Sequence, residues 1–178
     1  MARRESGKPN RMGEHKAQRS AKGCRLWNLR EEEAMTTVRN ILQDKGNAVW
    51  FASLETPVVD ALHTMAEKNV GALLVLKEND VVGIFSERDY ARKLVLHGRS
   101  PAEAKVKDIM TSDVISVKPE QSIDECMALM TAKHIRHLPV LENRKVVGLI
   151  SIGDVVKAVI SEKEYLIKQL ENYITGAR

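Results

Sequence analysis

Between residues 50 and 160 the apolar positions switch between two periods. Val58, Ala61, Leu62 and Met65 stand at i, i+3, i+4 and i+7, a spacing that predicts an amphipathic helix. Thr56 is placed to cap that helix, with Pro57 at its first position. Two short apolar runs follow, 71–77 and 81–86, split by the polar turn Glu78-Asn79-Asp80, which reads as a hairpin. A further helix is expected from about Glu87, and a short apolar run, 49–51, precedes the first helix.

Sliding the chain by 65 residues reproduces this order. Val81-Val82-Gly83-Ile84-Phe85-Ser86 falls on Val146-Val147-Gly148-Leu149-Ile150-Ser151, and Asp89 on Asp154. The helix residues fall on Ile123, Cys126, Met127 and Met130, and Leu73, Val75 and Leu76 on Leu138, Val140 and Leu141. The second copy has apolar runs at 114–117, 137–141 and 146–151, with the turn Glu142-Asn143-Arg144-Lys145 and a helix from about Ile152. The unit is therefore strand, helix, strand, strand, helix. One such unit of about 50 residues exposes its sheet, whereas two related by a pseudo-twofold axis bury it. The fold class is α/β (α+β). The expected domains are a basic tail or leader at 1–35, a first unit with its preceding helix at 36–98, a linker at 99–109, a second unit at 110–161 and a C-terminal helix at 162–178. In that last helix Leu166, Leu170 and Tyr173 share a face, which either packs on its own domain or serves in dimerisation.

Composition refines this picture at the N-terminus. The formal charge of +4 is uneven: residues 1–30 hold nine Lys/Arg against Glu5 and Glu14, a balance of +7, which leaves −3 on residues 31–178. A nucleic-acid function would rest on that tail alone, because the body is acidic and carries no helix-turn-helix or stacking motif. The tail is polar, lacks hydrophobic periodicity and is expected to be disordered. Its Arg-rich, acid-poor start resembles an organellar transit peptide, with only Leu26, Trp27 and Leu29 to form an apolar face. Alternatively, the glutamate run Glu31-Glu32-Glu33 corresponds to purine-rich codons resembling a ribosome-binding site just before Met35, which would make Met35 the native start. The two cysteines, Cys24 and Cys126, imply no disulfide framework and fit a reducing cytoplasm. No apolar run approaches the roughly 20 residues of a membrane span.

The candidate chemistry sits at the two strand-to-helix turns. Ser86-x-x-Asp89 and Ser151-x-x-Asp154 each put a hydroxyl and free helix N–H groups where an anion is favoured. A carboxylate one turn on can accept two hydrogen bonds from a vicinal diol. The same pattern is also a capping box that needs no ligand; its recurrence at matched repeat positions, with Gly three residues before each Ser, favours binding. No zinc site is expected around His134 and His137, since no partner has suitable spacing, and no nucleophile-base pair or phosphate-transfer loop suggests catalysis.

Over residues 37–161 the chain resembles a tandem cystathionine-β-synthase (CBS) domain pair, or Bateman module, of the stand-alone bacterial and organellar type. The resemblance rests on Val-Gly-Ile-Phe-Ser86-Glu-Arg-Asp89, Ile109-Met110-Thr111, His134-Ile-Arg136-His137-Leu-Pro139-Val and Val-Gly-Leu-Ile-Ser151-Ile-Gly-Asp154. It implies a regulatory adenosine-nucleotide binder for AMP, ADP, ATP or NAD(H), without catalysis, that forms a homodimer and signals to an effector protein. It implies that Asp89 and Asp154 hold ribose hydroxyls, that Ser86 and Ser151 lie near phosphate, that His134, Arg136, His137 and Pro139 approach the ligand, and that Thr111, Val114 and Ile115 line an adenine pocket. In the first copy Lys45, Val49 and Trp50 occupy the place of that pocket, with Trp50 either stacking on a base or filling core. Gly71 and Ala72 stand where Arg136 and His137 stand in the second copy, so Arg88 and Arg92 are expected to supply charge there. A protein-interaction scaffold with vestigial clefts is the competing expectation.

Overall fold

A computed structural model describes residues 36–176 except 79 and 99, so the expectations for the tail, including the transit peptide and the start at Met35, lie outside the described residues. Helix α1 (Val38–Lys45) is opened by Thr37, whose N–H donates to Asn40 Oδ1 at 2.8 Å, and closed by Gly46 at φ 87°. Strand β1 (Phe51–Ser53) follows, then α2 (Val58–Lys68), β2 (Ala72–Lys77) and β3 (Asp80–Ser86). The second half contains α4 (Val106–Ile109), α5 (Ile123–Lys133), β4 (His137–Glu142), β5 (Lys145–Ser151) and α6 (Ile152–Thr175). Between β3 and α4, a single helical turn α3 (Glu87–Asp89) runs into a π-helical turn, Tyr90–Leu94, and a 3₁₀ turn, Val95–His97.

The hairpins form as their sequence indicates. In the first, β2 and β3 are antiparallel with Ala72 opposite Ser86 and Lys77 opposite Asp80. The second matches it, with His137 opposite Ser151 and Glu142 opposite Lys145. Asn143 and Arg144 both take positive φ (51° and 64°), the geometry of a type I′ turn that matches the right-handed strand twist.

Three local expectations are corrected. Pro57, not Thr56, is the residue flanking α2, and the Thr56 hydroxyl instead accepts the Ser53 N–H at 2.9 Å in a tight turn. The strand expected at 49–51 pairs in parallel with β2 over Phe51–Ser53, two residues later. The strand expected at 114–117 is reduced to one parallel bridge, Val117 to Val140. There the Val114 N–H turns back to the Ser112 carbonyl at 3.1 Å, and Pro119 follows with no N–H to extend a ladder.

The core has two clusters, and each borrows a wall from the other repeat. Val58, Ala61, Met65, Leu73, Val75 and Phe85 pack with Val106 and Ile109 of α4. Ile123, Cys126, Met130, Leu138, Val140, Ile150 and Val155 pack with Val38, Ile41 and Leu42 of α1. The segment preceding each repeat thus crosses to the opposite repeat. Burying the three α1 side chains removes enough apolar surface to contribute on the order of 5 kcal/mol. Both crossings need a glycine in the hairpin. A Cβ on Gly83 would lie 2.5 Å from Met110 Sδ, and one on Gly148 would lie 2.5 Å from Leu42 Cδ2. Helix α6 runs unbroken from Ile152 past the expected boundary at 161, and Leu166, Leu170 and Tyr173 are exposed rather than packed on the body.

Candidate functional site

The turn from β3 into α3 is held by a reciprocal cap. Ser86 Oγ accepts the Asp89 N–H at 3.3 Å, while Asp89 Oδ2 accepts the Ser86 N–H at 3.1 Å and the Ser86 hydroxyl at 2.6 Å. The turn from β5 into α6 repeats this: Asp154 Oδ2 accepts from Ser151 N at 2.7 Å and from its hydroxyl at 2.8 Å. The capping expectation therefore holds at both turns, and what differs is the surroundings of each carboxylate.

Asp89 is buried at the floor of a cleft of ≈ 320 Å³. Its Oδ1 accepts from the Thr111 hydroxyl at 2.9 Å and pairs with Lys93 Nζ at 2.8 Å. Lys93 also donates to the Met110 carbonyl at 3.0 Å and to Thr111 Oγ1 at 2.9 Å. Ser86, Arg88, Asp89 and Arg92 line the cleft together with Thr111, Val114, Ile115, His134, Arg136, His137 and Pro139. The first-repeat motif thus faces second-repeat residues. This separates Arg88 and Arg92 from Lys45, Val49 and Trp50, with which they were expected to share the first-copy pocket. The physical cause is the crossing of the chain: α4 carries Met110 and Thr111 onto the β2–β3 hairpin, where Ile84 and Thr111 bond reciprocally at 2.9 Å.

The lining divides by chemistry. Ile84, Val114, Ile115, Ile135 and Pro139 form an apolar wall, and Arg88, Arg92, Lys93, Lys133 and Arg136 bring five cations against Asp89 and Asp113. Such a combination suits a ligand with a flat apolar part and an anionic chain. His134 lines the cleft as the residue that ends α5, at φ 53°, the same left-handed position that Asn69 takes after α2. Its carbonyl accepts a hydrogen bond from the Arg88 guanidinium, tying α3 to the end of α5. Lys93, Lys133, Asp113, Ile84 and Ile135 are lining residues missing from the sequence-derived set. Of these, Lys93 was visible as a cation four residues after Asp89 on a helix.

Ser151, Asp154, Lys45, Val49 and Trp50 lie outside this cleft. Lys45, the last residue of the crossing helix α1, reaches Asp154 Oδ2 at 2.7 Å and the Leu149 carbonyl at 2.9 Å. Burial opposes the charge on Asp154, but the Lys45 ammonium and the Ser151 N–H and hydroxyl outweigh it and hold the carboxyl below its usual pKa. Trp50 neither fills the core nor lines the cleft: it is 37% exposed, with the Lys68 ammonium 4.7 Å above its ring. His137 sits between the two turns. It lies against Gly71, where a Cβ would stand 3.4 Å from His137 Nε2, an ordinary contact distance. Burial, then the nearby Arg136, depresses the imidazole to about 4, and Lys45 and Arg88 push the same way against Asp154.

Two further expectations concern cysteine and metal. Cys126 is fully buried on α5, and burial pushes its thiol up to about 11. Among the described residues no group of His, Cys, Asp and Glu is arranged to hold a metal ion, and no helix is long and apolar enough to cross a membrane.

The comparisons with known proteins agree with this architecture. The family model for the CBS domain matches twice, at residues 38–96 and 106–161. The chain is 40% identical over 151 residues to the mitochondrial CBS domain-containing protein CBSX3 of Arabidopsis thaliana, covering 79% of this chain and 73% of the relative. A protein with CBS domains from Burkholderia ambifaria MC40-6 superposes with a TM-score of 0.69 at 53% identity, over 71% of this chain and 95% of that one. The CBS domain pair of protein MJ0100 shares the fold alone, with a TM-score of 0.63 at 23% identity over 72% of this chain and 98% of that one. With its two matched units and the crossed helices that join them, the chain belongs to the CBS domain family and carries a tandem CBS pair.

Proposed function

We propose that this CBS pair is a regulatory module that binds an adenosine nucleotide with a phosphate chain in the cleft beside Asp89, and that it reports nucleotide state to an effector protein without catalysing a reaction. The observation that carries the reading is the lining of that cleft, five cations beside an apolar wall, with a buried carboxylate at its floor. In this reading the base lies against Val114, Ile115 and Pro139, the ribose diol displaces the Thr111 and Lys93 contacts on Asp89, and Arg88, Arg92 and Arg136 meet the phosphates. AMP, ADP, ATP and NAD(H) all present that chemistry. The CBS pair of protein MJ0100 was solved with 5′-methylthioadenosine and S-adenosyl-L-methionine, which supports an adenosine-shaped ligand. The cationic lining here favours anionic over sulfonium-bearing members of that class. A module of this kind acts only through the differential affinity of its ligand for two states of the protein.

Calorimetric titration of AMP, ADP, ATP, NAD⁺ and NADH into the full chain, freed of nucleotide, tests the reading. Saturable binding that is lost in Asp89→Ala and weakened in Arg136→Ala is the expected result. No heat with any of the five, from folded protein, overturns it and leaves a protein-interaction scaffold whose serine-aspartate turns are caps alone. Retention of all five nucleotides unchanged after incubation is the expected outcome for a non-catalytic module.

A further inference from the structure

Inside the cleft, Lys93 occupies Asp89 much as a ligand would. Asp89 Oδ2 is committed to the Ser86 cap, which leaves Oδ1 for other partners. Oδ1 accepts from the Thr111 hydroxyl at 2.9 Å and pairs with Lys93 Nζ at 2.8 Å. The same ammonium donates to the Met110 carbonyl at 3.0 Å and to Thr111 Oγ1 at 2.9 Å, so each of its three N–H donors has an acceptor. The two partners are unequally placed: the Asp89 side chain is 11% exposed and the Lys93 side chain 42%. The carboxylate is therefore fixed, while the lysine has room to turn about its other anchors.

A ribose diol that takes Oδ1 breaks this ion pair, and the outcome then depends on the rest of the ligand. The freed ammonium meets Arg88, Arg92, Lys133 and Arg136 around the cleft, with Asp113 the other acid in its lining. A phosphate-free nucleoside gives it no new partner, so the diol's hydrogen bonds are set against a broken ion pair and an uncompensated cation. A 5′-phosphate supplies a charge-assisted partner instead, and the lysine keeps its Met110 and Thr111 anchors. We infer, on the reading of this cleft as a nucleotide site, that Lys93 is its specificity-determining residue: it holds Asp89 closed to phosphate-free nucleosides and yields it to nucleotides whose phosphate recaptures the ammonium. The second repeat has Ala158 at the matching position, so this discrimination belongs to the Asp89 turn alone.

Two ligands with the same base and ribose test this on the full chain freed of nucleotide: AMP, and 5′-methylthioadenosine, which carries no phosphate. Calorimetry on the wild type should show AMP bound on the order of 100-fold more tightly. Lys93→Gln keeps a donor for Thr111 and loses the charge. It should weaken AMP about tenfold and strengthen 5′-methylthioadenosine about tenfold, which closes the gap. Adding Asp89→Ala to Lys93→Gln should abolish the gain, and Lys93→Arg, which retains the charge, should keep the wild-type preference. A wild-type chain that binds both ligands equally overturns the inference without any variant. A Lys93→Gln chain, folded by circular dichroism, that loses both ligands by the same factor makes the lysine a structural support and also overturns it, while the nucleotide reading stands. No heat from either ligand, with wild type and Lys93→Gln alike, overturns the nucleotide reading itself and the inference with it.

Discussion

The two serine-aspartate turns are built alike and surrounded differently. At Asp89 the neutralising lysine is Lys93, one turn further along the same segment, and the opposite repeat contributes Thr111. At Asp154 the lysine is Lys45, delivered from the crossing helix of the other half, and it is anchored a second time on the Leu149 carbonyl. Under the 65-residue shift Lys93 corresponds to Ala158 and Lys45 to Met110, so neither lysine has a counterpart. Duplication preserved the cap, which the backbone needs at any helix start. The partner of the carboxylate changed in each copy. One turn opens onto a cationic cleft; the other serves as a latch that fastens α1 to the second repeat.

That contrast is broken most directly by removing each carboxylate in turn. Asp89→Ala should lower nucleotide affinity on the order of 100-fold, the scale of a lost charge-assisted hydrogen-bond pair, while Asp154→Ala should leave affinity at the Asp89 cleft within about threefold. Calorimetry on both variants decides it, and equal losses would erase the distinction between cleft and latch. Next in size is Gly148→Ala. Its new methyl meets three side-chain carbons of Leu42 at 2.5 to 3.2 Å, so α1 and Lys45 must shift, at a cost of about 2 kcal/mol read from urea denaturation. Gly83→Ala should cost less, because the end of Met110 can swing aside, but should weaken nucleotide binding through the displaced Thr111.

The smallest effect is in pH. His137 has its folded pKa depressed to about 4 against about 6.5 unfolded. The unfolded chain therefore takes up a proton first as pH falls, and the stability present above pH 6.5 is lost towards pH 4. Between pH 7 and 5 this amounts to about 1 to 2 kcal/mol, discounted for the partial exposure of the ring. Thermal denaturation of the wild type against His137→Gln measures it as the difference in pH slope. A phosphate chain beside Arg136 would favour the imidazolium, so nucleotide affinity is expected to rise as pH falls from 7 to 5.

The repeat, both hairpins and the helix faces were legible because each is set by local periodicity and by residues adjacent in sequence. Asn143-Arg144 marked a tight turn, and Val58, Ala61 and Met65 marked a buried stripe. What periodicity cannot say is which surface a stripe will meet. Val38, Ile41 and Leu42 announce an apolar face as plainly as Ile123 and Cys126 do, but nothing local directs them to the second repeat. The cleft escapes a local reading for the same reason: each of its residues carries a recognisable signal, but the crossing groups them across the two copies. Trp50 takes neither expected role, core or base platform: it is partly exposed with Lys68 over its ring, a placement that composition does not encode.

The crossing also fixes how the protein comes apart. Cutting the chain in the connection after Gly98 would divide the sequence cleanly into its two repeats, yet each fragment would carry one wall of the other's interior and lack one of its own. Neither half should fold alone, and mixing the two should reconstitute the whole. The smallest unit of folding is the pair, so the two repeats are expected to melt in a single transition, and a nucleotide bound at Asp89 should protect the distant amides of α1 from hydrogen exchange as firmly as those beside it.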